Sequence, residues 1–347
     1  MKKNPFSLQL DVKDFLPADE SEKQSLVCMR ESVSFWRDGF RRLKKNNVAM
    51  VSLVVIVIIM ILSFIVPSFF PYAYEEQIRG SERLGAWQYS AQEQALLDAG
   101  ERVFPHILGT DDLGRDTAIR IMMGSRISLL VGLIASAIIL IIGSLYGSIA
   151  ALYGGKVDMV MMRLVDIIYT IPDILIIILL TVTLKYPLKQ LAATVPGLGW
   201  INTIGVGLIS IFIVFSLLYW VGMARIIRGQ ILSLKEQEYV TAARALGAGN
   251  ARIIRKHLLT NCIGTLIVTT TLQIPASIFT ESFLSFLGLG VSAPMPSLGS
   301  LAATAIGGIR SYPGQLLAPA IMISIIILSF NLFGDGLRDA FDPKLKK

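Results

Sequence analysis

Long uninterrupted apolar runs, each bounded by charged or glycine-rich stretches, dominate this chain. The clearest is VAMVSLVVIVIIMILSFIV, residues 48–66. About 20 consecutive apolar residues cross a bilayer as a helix, and backbone groups in lipid must bond within their own segment. The pattern predicts six membrane helices, over residues 48–68, 127–152, 164–184, 204–224, 263–287 and 316–333. A transmembrane barrel would show short alternating strands, and that alternation is missing from the sequence. The expected fold class is therefore an all-α polytopic membrane protein. Its expected parts are a cytoplasmic tail with an interfacial helix (1–47), a first transmembrane helix (48–68), an extracytoplasmic segment (69–126), a five-helix core (127–334) with a loop at 225–262, and a C-terminal tail (335–347).

Polar positions inside these runs carry the next layer of information. Gly143, Gly147 and Ala151 recur every fourth residue in the second span, with Gly132 and Ser136 above them. Small residues at that spacing let helices approach closely in lipid. The third span holds Asp166, near its cytoplasmic end and within reach of Arg163, and the deeper Asp173, with Pro172 between them. Membrane carboxylates are costly and often functional. Asp173 either lines a translocation pathway or makes a structural bond where Pro172 kinks the helix. In the fifth span Thr269, Gln273, Ser277 and Glu281 form a stripe along one slowly rotating face. The stripe is expected to line the pathway; the alternative is polar packing against a neighbouring helix. Residues 31–45, ESVSFWRDGFRRLKK, mix aromatic and basic residues as an interfacial helix does. Such a helix serves either as an elbow around a partner or as a plain membrane anchor. Residues 1–30 read as a flexible tail. Asp111, Asp112, Arg115 and Asp116 suit a turn with local ion pairs better than a metal site, or else a contact with an external protein.

Composition agrees with the membrane reading. Charged residues are only 16 % of the chain against 53 % hydrophobic, where soluble domains carry about 25 % charge. Lys and Arg collect on one side. With the N-terminus inside, the inner segments hold 23 of them and the outer segments nine, six of those in the long 69–126 segment. Both termini and the 225–262 loop are therefore expected in the cytoplasm, and the net charge of +7 reflects inner loops near anionic lipid rather than nucleic-acid binding. Cys28 and Cys262 imply no disulfide framework, and with His106 and His257, both read as loop residues, they make no metal site. Gly154-Gly155-Lys156 lacks the hydroxyl residue and first glycine of a phosphate loop, with Val157 and Ala150 in those places. No nucleophile elbow or metalloprotease motif occurs. The expectation is a protein that is not an enzyme, has no cofactor, and draws energy from a partner or a gradient.

The most structured loop is SLKEQEYVTAARALGAGNARIIRKHLLTN, residues 233–261. Ser233 and Glu236 fit a capping box, Ala242, Ala243 and Ala245 favour helix, Gly247 and Gly249 suit a helix stop, and Asn250 suits a second N-cap. This segment resembles the cytoplasmic coupling loop of ATP-binding-cassette (ABC) importer permeases. Glu238 stands for the Glu of that pattern, Ala242 and Ala243 for its alanines, and Gly247 for its glycine; Thr260 departs from the usual proline. Residues 106–116, 153–175, 281–299 and 330–343 also look like the dipeptide and oligopeptide branch, in particular its C-type permease subunit. The resemblance implies six transmembrane helices of the type I importer kind in a bacterial cytoplasmic membrane. It implies a coupling interface of Glu238, Tyr239, Ala242, Ala243, Leu246 and Gly247. The implied partners are a second homologous permease, two ATPase subunits, an extracytoplasmic binding protein and membrane lipid. Nickel and glutathione importers share these segments. A gradient-driven carrier, the other class of reading, would favour inverted repeats, and none is visible.

Overall fold

A computed structural model describes residues 34–291 and 293–341. The chain falls into two units, Met1–Asp38 and Gly39–Lys347. Of the first, the described residues open helix α1 (Phe35–Lys45), with the Phe35 and Trp36 rings edge-on at 5.8 Å. The expected flexible tail, with Cys28, lies outside the described residues. All that follows concerns the second unit.

Six helices are long and apolar enough to cross a membrane, and no strand occurs among the described residues. The first is α2 (Asn47–Phe64), N-capped by Asn46 and ended by a 3₁₀ turn, Val66–Ser68. Arg126 closes its far end by donating to the Ser63 and Phe64 carbonyls at 2.8 and 3.2 Å. Such carbonyls have no donor within their own helix. The segment after it folds as a compact cap containing α3 (Ala91–Asp98).

The second span is longer than expected. α4 runs Thr117–Tyr153, because Asp116 accepts the Ile119 amide and starts the helix ten residues before the apolar run. The helix therefore begins ten residues before the predicted start of the span at 127. The predicted 164–184 span is also corrected. It is two helices, α5 (Gly155–Thr170) and α6 (Asp173–Thr194), the second being the candidate span. Pro172 has no N–H to continue the ladder, and Ile171 before it is extended (φ −89°, ψ 134°). The helix is broken there rather than kinked.

After α7 (Trp200–Ile204), the fourth span is α8 (Val206–Leu218) followed by α9 (Trp220–Leu234). α9 carries on ten residues beyond the predicted end, because Ile227 and Ile231 are buried in a cluster with Ile139, Leu152 and Met223. Next come α10 (Glu238–Ala245), α11 (Asn250–Arg252), a π-helical segment Ile253–Leu258, and α12 (Leu259–Asn261). His257, expected in a loop, lies in that π-helical turn. The fifth span is α13 (Ile263–Phe286). The expected outer loop beyond it holds a short apolar helix, α14 (Leu298–Ala305), packed against α13 and α15. The sixth span is α15 (Pro313–Phe341), which continues past the predicted tail boundary at 335. Its end packs on Leu43 and Ala49, and the Phe40 ring sits edge-on to Phe341 at 6.3 Å.

α4 is the centre of the molecule and packs most extensively on α9 and α13. The small residues make this possible. A Cβ on Gly143 would sit 2.6 Å from the Met223 Cβ, one on Gly147 would strike the Ala224 carbonyl oxygen, and one on Gly132 would sit 2.6 Å from the Ile278 side chain.

The cap is held by a buried imidazole. His106 is fully buried, with Nδ1 2.7 Å from Asp116 and Nε2 3.0 Å from Glu93. Tyr72 stacks on the ring at 4.6 Å. Burial acts to lower the His106 pKa, but the hydrogen bonds and charges of Asp116 and Glu93 outweigh it and the value is raised. Burial, and then the same two carboxylates, push the Tyr72 phenol up to about 12. Because the imidazole gains affinity for its proton on folding, its stabilisation is full below the ordinary imidazole value and is lost as pH climbs through the raised one. Protection of residues 90–117 against hydrogen exchange, taken relative to the intrinsic rate at each pH, is expected to fall as pH climbs above the ordinary imidazole range, and His106→Gln to flatten that dependence. The neighbouring acidic residues are turn-forming. Asp111 accepts from the Leu113 and Arg115 amides at 2.9 and 3.0 Å and pairs with the Arg115 guanidinium at 2.7 Å. Asp112 pairs with Arg83 at 2.8 Å.

Candidate coupling and translocation sites

A helix, α10, stands where the coupling helix is expected, although its start differs from the sequence reading. Ser233 lies inside α9, so the Ser233–Glu236 capping box does not form, and Gln237 is the N-cap without a side-chain bond. Packing of the α9 apolar face has overridden the local signal. Gly249, not Asn250, caps the next helix.

The end of α10 is a Schellman motif. The Ala248 amide reaches back to the Ala243 carbonyl at 3.0 Å and the Gly247 amide to Arg244 at 2.9 Å, with Gly247 at φ +81°. That region costs a side chain about 1–2 kcal/mol and costs glycine nothing.

One face of α10 is turned inward. Val240 is fully buried beside Ile253 and Leu258, and Ala243, three residues on, is 9 % exposed. Ala243, expected on the docking face, stands by helical spacing on the Val240 side. The outward face carries Glu238, Tyr239, Ala242 and Leu246, the last 89 % exposed. Glu238 makes no hydrogen bond or ion pair with any described residue. Tyr239 accepts from Asn261 at 3.2 Å, and Asn261 also donates to the His257 carbonyl at 2.6 Å. Arg244, Arg252, Arg255 and Lys256 make the surroundings basic.

The loop is tied firmly to the spans. Arg228 donates twice to Asp158, both bonds 2.6 Å, joining α9 to the start of α5. Lys235 donates to the Ala151 carbonyl at 3.3 Å. Asp166, expected beside Arg163, pairs with Arg225 at 2.8 Å, and Arg225 lies over the Tyr169 ring at 4.3 Å. These partners are 59 to 84 residues apart in sequence, and no local pattern points to them.

The polar stripe of α13 does not face one open space. Thr269 and Gln273 are half-buried, and Thr269 bonds back to the Thr265 carbonyl at 2.8 Å. Ser277 and Glu281 are fully buried. Ser128 of α4 and Ser285 each donate to the Glu281 carboxyl at 2.7 Å, and Ser282 at 3.3 Å. Ser285 also accepts the Val291 amide at 3.1 Å. Ser277 and Glu281, expected on the pathway, are enclosed by protein in this structure, and Glu281 joins α13 to α4. Asp173 is exposed at the first turn of α6 and borders a cavity of about 470 Å³ between the α5–α6 break and the α8–α9 junction.

Six transmembrane helices, a broken helix bordering a cavity, and a rigidly mounted basic loop with an outward apolar tip define an integral membrane transport component. The chain belongs to the family of binding-protein-dependent transport system inner membrane components, whose model matches residues 143–347. Residues 34–86 match the N-terminal TM domain of oligopeptide transport permease C. The chain is 39 % identical over 333 residues to the oligopeptide transport system permease protein OppC of Bacillus subtilis (strain 168), covering 96 % of this chain and 97 % of that one. It is 40 % identical over 334 residues to the dipeptide transport system permease protein DppC of the same organism, covering 96 % and 93 %. It is 36 % identical over 314 residues to OppC of Escherichia coli (strain K12), covering 90 % and 93 %. Membership in this family sets aside the gradient-driven carrier.

Proposed function

We propose that this chain is the C-type permease subunit of an ATP-driven importer of dipeptides or oligopeptides, forming half of the pathway beside a second, homologous permease. Two ATPase subunits supply the energy from the cytoplasmic side. A binding protein delivers substrate from outside, and the spans sit in the lipid of a bacterial cytoplasmic membrane. The carrying observation is α10: an eight-residue helix with a buried seat, a closed C-terminal cap and an outward face of Glu238, Tyr239, Ala242 and Leu246. A helix fixed so firmly at its base transmits a push instead of absorbing it. The excess of Lys and Arg in the inner segments supports cytoplasmic termini and a cytoplasmic α10. The names of the relatives support peptide over nickel or glutathione. Asp173, Thr269 and Gln273 remain the proposed pathway residues.

Uptake tests this reading. Proteoliposomes holding the complete importer and its binding protein should accumulate labelled dipeptide only with ATP inside the compartment that faces α10. Uptake driven by an ion gradient without ATP would refute it.

A further inference from the structure

The break between α5 and α6 brings the carbonyl end of one helix and the amide end of the next to one cavity. The last carbonyls of a helix lack intrahelical donors and carry the negative end of its macrodipole. At the end of α5, Thr170 satisfies only the Ile167 carbonyl, at 2.7 Å, and Pro172 offers no N–H to those that follow. This last turn borders the 470 Å³ cavity. The Asp173 carboxylate, at the cavity edge, accepts the adjacent Ile174 amide at 2.8 Å and has no ion pair with any described residue. Across the cavity, Tyr219 lies 3.0 Å from the Thr280 hydroxyl. Thr280 gives its proton to the Ala276 carbonyl at 3.0 Å, so Tyr219 is the donor and its oxygen remains an acceptor. The nearby Arg225 is already matched by Asp166 at 2.8 Å. The cavity therefore holds one carboxylate with no ion pair to a described residue, set at the amino end of α6, with the carbonyl end of α5 beside it and apolar walls from Ile176, Leu218 and Val221. Its size falls within the range of small-ligand pockets.

We infer that this cavity is a subsite for a primary ammonium group, the amino terminus of the permeating peptide, with Asp173 as its counter-charge; this rests on the peptide-import reading above. An ammonium has three donors and no acceptor, which suits the Asp173 carboxylate and the carbonyl end of α5 beside it. The apolar walls receive the first side chain without selecting among them.

The test compares uptake of a dipeptide with that of its des-amino analogue, in proteoliposomes of the complete importer carrying wild-type chain or Asp173→Asn. The same binding protein serves both preparations, so its own preference cancels. The ratio of kcat/KM for free amine over des-amino substrate is expected to fall about tenfold in Asp173→Asn, mainly through KM, and to recover in Asp173→Glu. An unchanged ratio overturns the subsite, and so does an equal loss for both substrates, which would mark Asp173 as structural or as paired to the second permease. Either result leaves the import reading standing. A wild-type importer that takes up no peptide overturns both.

Discussion

Gly247→Asp is expected to reach the membrane at the wild-type level and to abolish ATP-driven uptake. The glycine sits at φ +81° with nothing within 4 Å of where a Cβ would stand, so the substitution collides with no part of its own chain. Its intramolecular cost is the left-handed strain, about 1–2 kcal/mol, confined to the turn. The six spans and the seat of α10 under Val240 are untouched. What changes is the outer surface beside Leu246, the proposed docking face, which gains a fixed negative charge and a strained cap. Gly249→Ala is the control. Gly249 has an ordinary φ of −70° and open space around it, and uptake should survive. Quantitative membrane blotting with peptide uptake distinguishes the cases. Normal uptake in Gly247→Asp would count directly against docking through this face.

The second large effect is at the helix crossing. Gly147→Leu is expected to remove most of the folded protein from the membrane. The new side chain meets the Ala224 carbonyl and the Arg228 amide, both backbone, so no rotamer change relieves it. Overpacking by a few methylenes costs roughly 1–3 kcal/mol even where side chains can move; against backbone the cost exceeds that. The displaced helix is α9, whose Arg228 holds Asp158 and whose end carries α10, so coupling is lost with stability. Gly229→Ala, on α9 with open space around it, should accumulate normally. Yield of monodisperse complex after detergent extraction reads both. A wild-type yield for Gly147→Leu would contradict the close α4–α9 crossing.

What the sequence made legible follows from which interactions are local. The number of spans, the small-residue seam at Gly143 and Gly147, and the stop at Gly247 are written in composition and in short spacings, and the structure has all three; the ends of the second and fourth spans and the continuity of the third are not so written. The failures share another cause. The capping box at Ser233 is a correct local pattern overruled by the burial of Ile227 and Ile231, which keeps α9 going through it. The early start of α4 depends on Asp116, a polar residue outside any apolar run. The inward turn of Ala243 needs the position of the π-helical turn beneath it. Asp166 finds Arg225 rather than Arg163 because the chain folds back over 59 residues. The α13 stripe has the right period for a wet face, but period cannot say whether water or a second helix lies opposite. At Glu281 the neighbour is Ser128 of α4. Pro172 announced a disturbance, and only the extended backbone at Ile171 makes it a break with a cavity beside it.

The most direct test of the account is to place a photo-activated cross-linking residue at position 246 and irradiate membranes that contain the whole transport system. Leu246 is 89 % exposed and stands at the tip of α10. The account predicts an adduct with an ATPase subunit, identified by peptide mass spectrometry and altered when ATP is bound but not hydrolysed. Adducts only with lipid or with the second permease, in membranes that import peptide normally, would contradict it.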